Sequence, residues 1–153
     1  MSARALATLL VLVTLAGCGD PLADLNYHGP VVVRGMVSVS PTLSCKKGDP
    51  LYDCRGLLLF VGLIDRPQQL PLSTLIASAS VESVDLNDGQ QVGYEIAGVP
   101  PGGYYISAML AKSATLTDPP YPKTGDIAVA PQPLTIEPGI VTAKDIVLDI
   151  RWK

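Results

Sequence analysis

The chain is poor in what catalytic and nucleic-acid-binding proteins are built from. It has one histidine, His28, and three cysteines. A hydrolytic triad needs a nucleophile and a base held together by a third group, and His28 sits in a polar stretch bearing glycine and proline, where it reads as a solvated connector. No glycine-rich phosphate loop joins a strand to a helix, and no H-E-x-x-H helix is present. Charged residues make up only 16% of the chain and the net charge is −3, with lysines and arginines scattered rather than patched, which argues against nucleic acid as a partner. Aromatic residues are 5%, so any sugar-stacking platform has to come from a few tyrosines. Past residue 17 no apolar run approaches the roughly 20 residues of helix that a hydrocarbon core requires.

What is present at the N-terminus is a leader. Arg4 gives a positive start, Ala5 to Ala16 form a twelve-residue apolar core, and Leu15, Ala16 and Gly17 precede Cys18. Twelve residues are too few to cross a bilayer, and Gly17, Gly19, Asp20 and Pro21 end the run abruptly. The L-A-G-C run resembles the lipobox of bacterial lipoproteins. That resemblance implies a signal peptide over residues 1–17, a diacylglyceryl group on the Cys18 thiol, and an acylated new amine. One acyl chain binds a bilayer only marginally, whereas two or more, at roughly 0.8 kcal/mol per buried methylene, hold a protein there stably. The rival is an ordinary secretory leader that ends near a cysteine. In Gram-negative sorting an aspartate directly after the lipidated cysteine favours retention in the inner membrane; here Gly19 takes that place and Asp20 follows, which leans toward the outer membrane.

With seventeen residues removed, 136 of the 153 remain, enough for one domain around a single core. Residues 18–29 read as a tether and 30–153 as the domain. Losing Arg4 takes the net charge from −3 to −4. Cys45 and Cys54 are left as a pair, and in an exported chain two nearby thiols form a disulfide. A zinc site is the rival, but two thiols and a distant His28 do not supply four ligands. No metal or cofactor is expected.

All 14 prolines follow the leader and, with glycine, punctuate short runs of Val, Ile, Leu and Tyr, an all-β composition. Val31 to Ser40 alternates, with Val31, Val33, Val37 and Val39 on one face; Gly35 breaks that row and marks a bulge or a close backbone approach. Leu57 to Ile64 is apolar throughout except Gly62 and reads as a central strand ended by Asp65-Arg66-Pro67. Leu72 to Asp85 reads as a strand, with a short helix over Ser73 to Ala79 as the alternative. Asn87-Asp88-Gly89 is a strong turn signal, expected to join that strand to Val92–Ile96 as a hairpin. Ile127–Ala130 and Leu134–Glu137, separated by Pro131 and Pro133, are either two strands or one with a bulge, and Ile146 to Ile150 closes the chain.

The sharpest motif of the domain is Gly98-Val99-Pro100-Pro101-Gly102-Gly103-Tyr104-Tyr105-Ile106, a tight corner after which Tyr104, Ile106, Ala108 and Leu110 face one way. It resembles the corner of prealbumin-like (transthyretin-like) carboxypeptidase regulatory-like domains, with their G-x-P-x-G-x-Y pattern. The order of the other segments, from Val33–Val37 through Tyr94-Glu95-Ile96 to Ile146–Ile150, is similar as well. The resemblance implies a seven-stranded antiparallel β-sandwich, prealbumin-like or immunoglobulin-like, of the kind used as an accessory module, and it implies no activity. Some bacterial relatives carry an Asp-rich loop after the strand that follows the corner; here Lys112-Ser113-Ala114-Thr115 stands there, and Asp118 and Asp126 do not make the six to eight oxygens calcium wants.

If strands alternate in direction, the Cys45–Cys54 loop, the Asp85–Gln90 turn and the Lys112–Asp126 loop share the end remote from the tether. Tyr52, Asp118, Tyr121 and Asp126 are the candidate contact residues there. The expected function is a non-catalytic, lipid-anchored envelope protein that scaffolds or binds another envelope component. A carbohydrate- or peptidoglycan-binding module presenting Tyr52, Tyr105 or Tyr121 is the first alternative. A small hydrolase using carboxylates among Asp49, Asp53, Asp118 and Asp126 is the second.

Overall fold

The computed structural model describes residues 31–49, 52–68, 72–113 and 120–153. The leader, the tether with Cys18 and His28, and Asp118 lie outside the described residues. The chain is all-β. Its strand segments are β1 (Val31–Val39), β2 (Arg55–Ile64), β3 (Leu75–Asp85), β4 (Val92–Val99), β5 (Gly102–Ala111), β6 (Ile127–Ala128), β7 (Gln132–Ile136), β8 (Thr142–Ala143), β9 (Ile146–Leu148) and β10 (Ile150–Arg151). They form two sheets. In one, β1 lies between β4 and the pair β8 and β9; in the other the order is β3, β2, β5, with β6 and β7 along the far edge of β5 and β10 outside β6.

The two sheets share one core, and the alternation of their strands is what fills it. Val31, Val33 and Val37 of β1 with Tyr94 and Ile96 of β4 are buried in the same cluster as Leu59, Val61 and Leu63 of β2 and Ile106, Ala108 and Leu110 of β5. Each large side chain so buried contributes roughly 1.5–3 kcal/mol. The outer face of β2 is apolar too: Phe60 packs with Met109 of β5 and Ala128 of β6. Pro120 and Pro122 lie against this face beside Phe60, Gly62 and Met109. That second covering is why the strand carries no polar alternation.

Gly35 is a close backbone approach. A Cβ there would stand 2.0 Å from the carbonyl oxygen of Lys144. The Tyr94 hydroxyl donates to the same oxygen at 2.6 Å, and Lys144 N–H donates to the Arg34 carbonyl at 3.0 Å. Leu75–Asp85 is a strand along its whole length, not a helix. At the corner, the chain passes from β4 in one sheet to β5 in the other, and the Tyr104 hydroxyl donates back to the Pro100 carbonyl at 3.0 Å, the kind of contact that fixes tyrosine corners in sandwiches.

Four expectations need correction. The Asn87–Gly89 turn is present, with φ of 56° at Asp88 and 75° at Gly89, but it joins no hairpin: β3 pairs with β2 and β4 with β1, so the turn carries the chain between sheets. Pairing is not wholly antiparallel, because β8 and β9 run parallel to β1. The closing segment is two strands: β9 pairs with β1 and, after Asp149, β10 pairs with β6 in the other sheet. The count of strand segments therefore exceeds seven, since pairing lines are interrupted. β6 and β7 show the same interruption, both antiparallel to β5 on one side, separated around Val129 to Pro131, with Val129 N–H still donating to Ala108 at 3.0 Å.

Candidate functional site

The end of the sandwich opposite Val31 is built from four pieces of chain. β1 runs into the loop closed by the Cys45–Cys54 disulfide, whose Cα atoms are 5.4 Å apart. β3 arrives with Asp85 opposite Arg55, β5 leaves at Ala111, and β10 ends at Arg151 opposite Ile127. Asn87 locks the first two together. Buried at the turn, its side-chain oxygen accepts from Cys54 N–H at 3.0 Å, while its amide donates to Asp53 at 2.9 Å and Asp85 at 2.8 Å. An amide with both oxygen and nitrogen engaged in this way fixes the loop against the turn.

A gap in the second sheet makes the site. β2 pairs with β3 from Arg55 onward but with β5 only from Leu58, because β5 ends at Ala111 and the chain turns away at Lys112. Arg55 and Gly56 are thus paired on one side only among the described strands. On the far side of the gap, β10 continues into Trp152, whose N–H and carbonyl bond to Asp126 and Gly125 at 2.8 Å each. The result is an open concavity of about 1110 Å³. Leu57, 52% exposed, and Tyr52, 47% exposed, contribute apolar and aromatic surface, and the half-buried Trp152 contributes more.

Charge is distributed unevenly in it. Asp53 takes a two-pronged contact from Arg55, Nη2 at 2.5 Å and Nε at 2.9 Å from Oδ2. That contact first, then the Asn87 amide, holds its carboxyl well below the usual carboxylate range. Asp85 accepts from Asn87 N–H and faces Lys47 at 3.6 Å. The cations of the gap are less well matched. Lys112 donates to the carbonyls of Asp53, at 2.5 Å, and of Arg55. Burial pushes its pKa down, helped by Arg151 and Arg55 and opposed by Asp53 and Asp126. Among the described residues Arg151 reaches the Cys54 sulfur, at 3.7 Å. Among the described residues neither Lys112 nor Arg151 forms a salt bridge.

Of the candidate contact residues, Tyr52 lines the concavity. Asp126 does not present its carboxylate: it is 5% exposed and accepts from the N–H groups of Lys112 at 2.9 Å and Lys123 at 2.8 Å. Tyr121 is exposed but lies outside the concavity, within the prolyl segment laid over the second sheet. Tyr105 is half-buried on β5. Asp118 lies outside the described residues, as does Cys18. Arg55, Lys112, Arg151 and Trp152 were not singled out from sequence; the one signal available was that Trp152 is the lone tryptophan. Among the described residues no group of three or more His, Cys, Asp or Glu side chains is placed to hold a metal ion, and no helix is long and apolar enough to cross a membrane. No protein-family model, curated protein or solved structure matches the chain.

Proposed function

We propose that the chain is an exported cell-envelope protein, lipid-anchored through Cys18, whose sandwich is a non-catalytic module that binds another envelope component through its disulfide end. The observation that carries the reading is the convergence there of the Cys45–Cys54 loop, the Asn87 turn, Lys112 and the β10 terminus around one concavity. A disulfide and a buried amide order the rim in advance, which lowers the entropic cost of binding. Val31 enters at the opposite end of β1, so an anchor upstream of it leaves the concavity facing away. Kinship with carboxypeptidase regulatory-like sandwiches rests on the Gly98–Tyr104 corner and its Tyr104 hydrogen bond. The nearby carboxylates support a binding role over a hydrolytic one. Asp53 is held ionised by Arg55 and Asn87 and so has no proton to donate, and Asp126 is spent on two backbone amides.

The test is in-cell crosslinking from a photoreactive residue at Thr124, exposed on the rim, against one at Val147, exposed on the outer face of the first sheet. An adduct from position 124 and none from 147 is expected. Equal adducts from both, or none from 124, overturn the reading.

A further inference from the structure

The concavity carries more positive charge than its chain would suggest. The protein is acidic overall, net −3, yet Arg55, Lys112 and Arg151 line this one hollow with the side chains of Asp53 and Asp85 against them, Lys153 adding an ammonium that its own α-carboxylate offsets. Both side-chain carboxylates are already satisfied by Arg55, Asn87 and Lys47, and the nearby Asp126 is occupied behind Lys112. What remains is a guanidinium, Arg151, that offers five N–H donors and among the described residues meets only a sulfur, next to a half-buried ammonium, Lys112, whose hydrogen bonds among those residues go to carbonyls. Half-buried cations without anionic partners gain most from an acceptor of opposite charge, and a guanidinium matches a carboxylate two-pronged.

The walls narrow the choice of anion. A free phosphate or chloride has no surface to lay on an indole or a phenol, whereas the exposed Tyr52 and the half-buried Trp152 line the same hollow as the cations. A peptide strand added beside β2 would need the Arg55 carbonyl as an acceptor, and Lys112 already occupies it. A pyranose ring bearing a carboxylate satisfies both features at once, its ring on the aromatic side chains and its charge on Arg151 and Lys112. Resting on the binding role of the disulfide end, we infer that the ligand is an acidic saccharide of the uronic-acid type.

The single tryptophan of the chain sits in the site, so intrinsic fluorescence reads it directly. The full chain in detergent is titrated with oligogalacturonate, with the neutral galactose oligomer of the same length, with hexaglutamate and with inorganic phosphate. A saturable change with oligogalacturonate is expected, with affinity at least about tenfold tighter than for the other three. Arg151→Gln, with its far-UV spectrum unchanged, should weaken it by about tenfold or more. Should Arg151→Gln fail to fold, Tyr52→Ala, on the exposed loop, is expected to weaken binding severalfold instead. No saturable response to oligogalacturonate, equal binding of the neutral oligomer or of hexaglutamate, or unweakened binding by folded Arg151→Gln each overturns the assignment. If saccharide binding fails while position 124 still crosslinks selectively, only the ligand class is wrong; if both fail, the site itself is.

Discussion

A methyl group at position 35 would have to share space with a carbonyl. The Lys144 oxygen lies 2.0 Å from where a Cβ would stand, and it is also the acceptor for Tyr94. Gly35→Ala therefore has to push β1 away from the segment between β8 and β9, at a cost of about 1–3 kcal/mol or more. Gly48→Ala is the control: φ is +80° with nothing within 4 Å of the added Cβ, so only the left-handed backbone penalty of about 1–2 kcal/mol applies. Urea midpoints of the two variants check the order, and Gly35→Ala falling no further than Gly48→Ala contradicts it. Acid is a second residue-scale probe. Arg55 and Asn87 lower the Asp53 pKa, so folded Asp53 binds its proton less readily than unfolded Asp53. Its contribution is complete above the unfolded value of about 3.9 and drains away as pH falls below it. Asp53→Asn should flatten the loss of stability below about pH 4 without abolishing it, because Asp65 and Asp85 are lowered as well. Denaturation at stepped pH reads this, and an unchanged acid slope refutes it. At this scale the sequence spoke clearly where one residue's geometry decides, as at Gly35. It was silent where a partner decides: nothing local tells that Asp126 is spent on two amides or that Arg151 reaches the Cys54 sulfur.

Strands and turns were legible in proportion to how local their causes are. The valine alternation of β1, the apolar run of β2 and the proline and glycine corner all appear where expected, because pleat and φ are set within a few residues. Which sheet receives a strand is set by distant partners. Asn87-Asp88-Gly89 specified a reversal, yet the buried Asn87 amide, bonded to Cys54 and Asp53, ties that turn to the disulfide loop, while β3 and β4 pair in separate sheets. The run Ile146 to Arg151 gave no local sign of its break at Asp149, where the chain leaves β1 and its N–H turns to Ala128 at 3.1 Å. The disulfide makes an element-scale prediction. It closes a ten-residue loop whose second cysteine is fully buried, so Cys45→Ala with Cys54→Ala should cost about 2–3 kcal/mol through the freedom returned to the unfolded chain. The same change loosens Tyr52 and Asp53 at the rim. A midpoint of unfolding that does not move on reduction of the wild type would show that Asn87 holds the loop alone.

For the molecule as a whole, the sandwich turns a position in sequence into a distance in space. β1 spans nine residues, about 30 Å at 3.3 Å each, and separates Val31 from the end that holds the concavity. Under the proposed anchoring, the site lies at the end of the sandwich away from where the chain enters β1. The anchoring step rests on the L-A-G-C run alone, so it is the step to break. Cys18→Ser removes the thiol to which a diacylglyceryl group would be attached, and the expected result is an exported chain that leaves the membrane fraction, no longer takes up a fatty-acid label, and still forms its Cys45–Cys54 disulfide. Because residue 18 precedes every strand described, its loss should leave the unfolding midpoint and the Trp152 response to oligogalacturonate unchanged. Fractionation and labelling of the two forms decide the matter: a Cys18→Ser chain still recovered with membranes, or a wild type that takes up no label, would mean that the first cysteine is not the anchor and that the concavity's orientation toward a bilayer has to be argued from elsewhere.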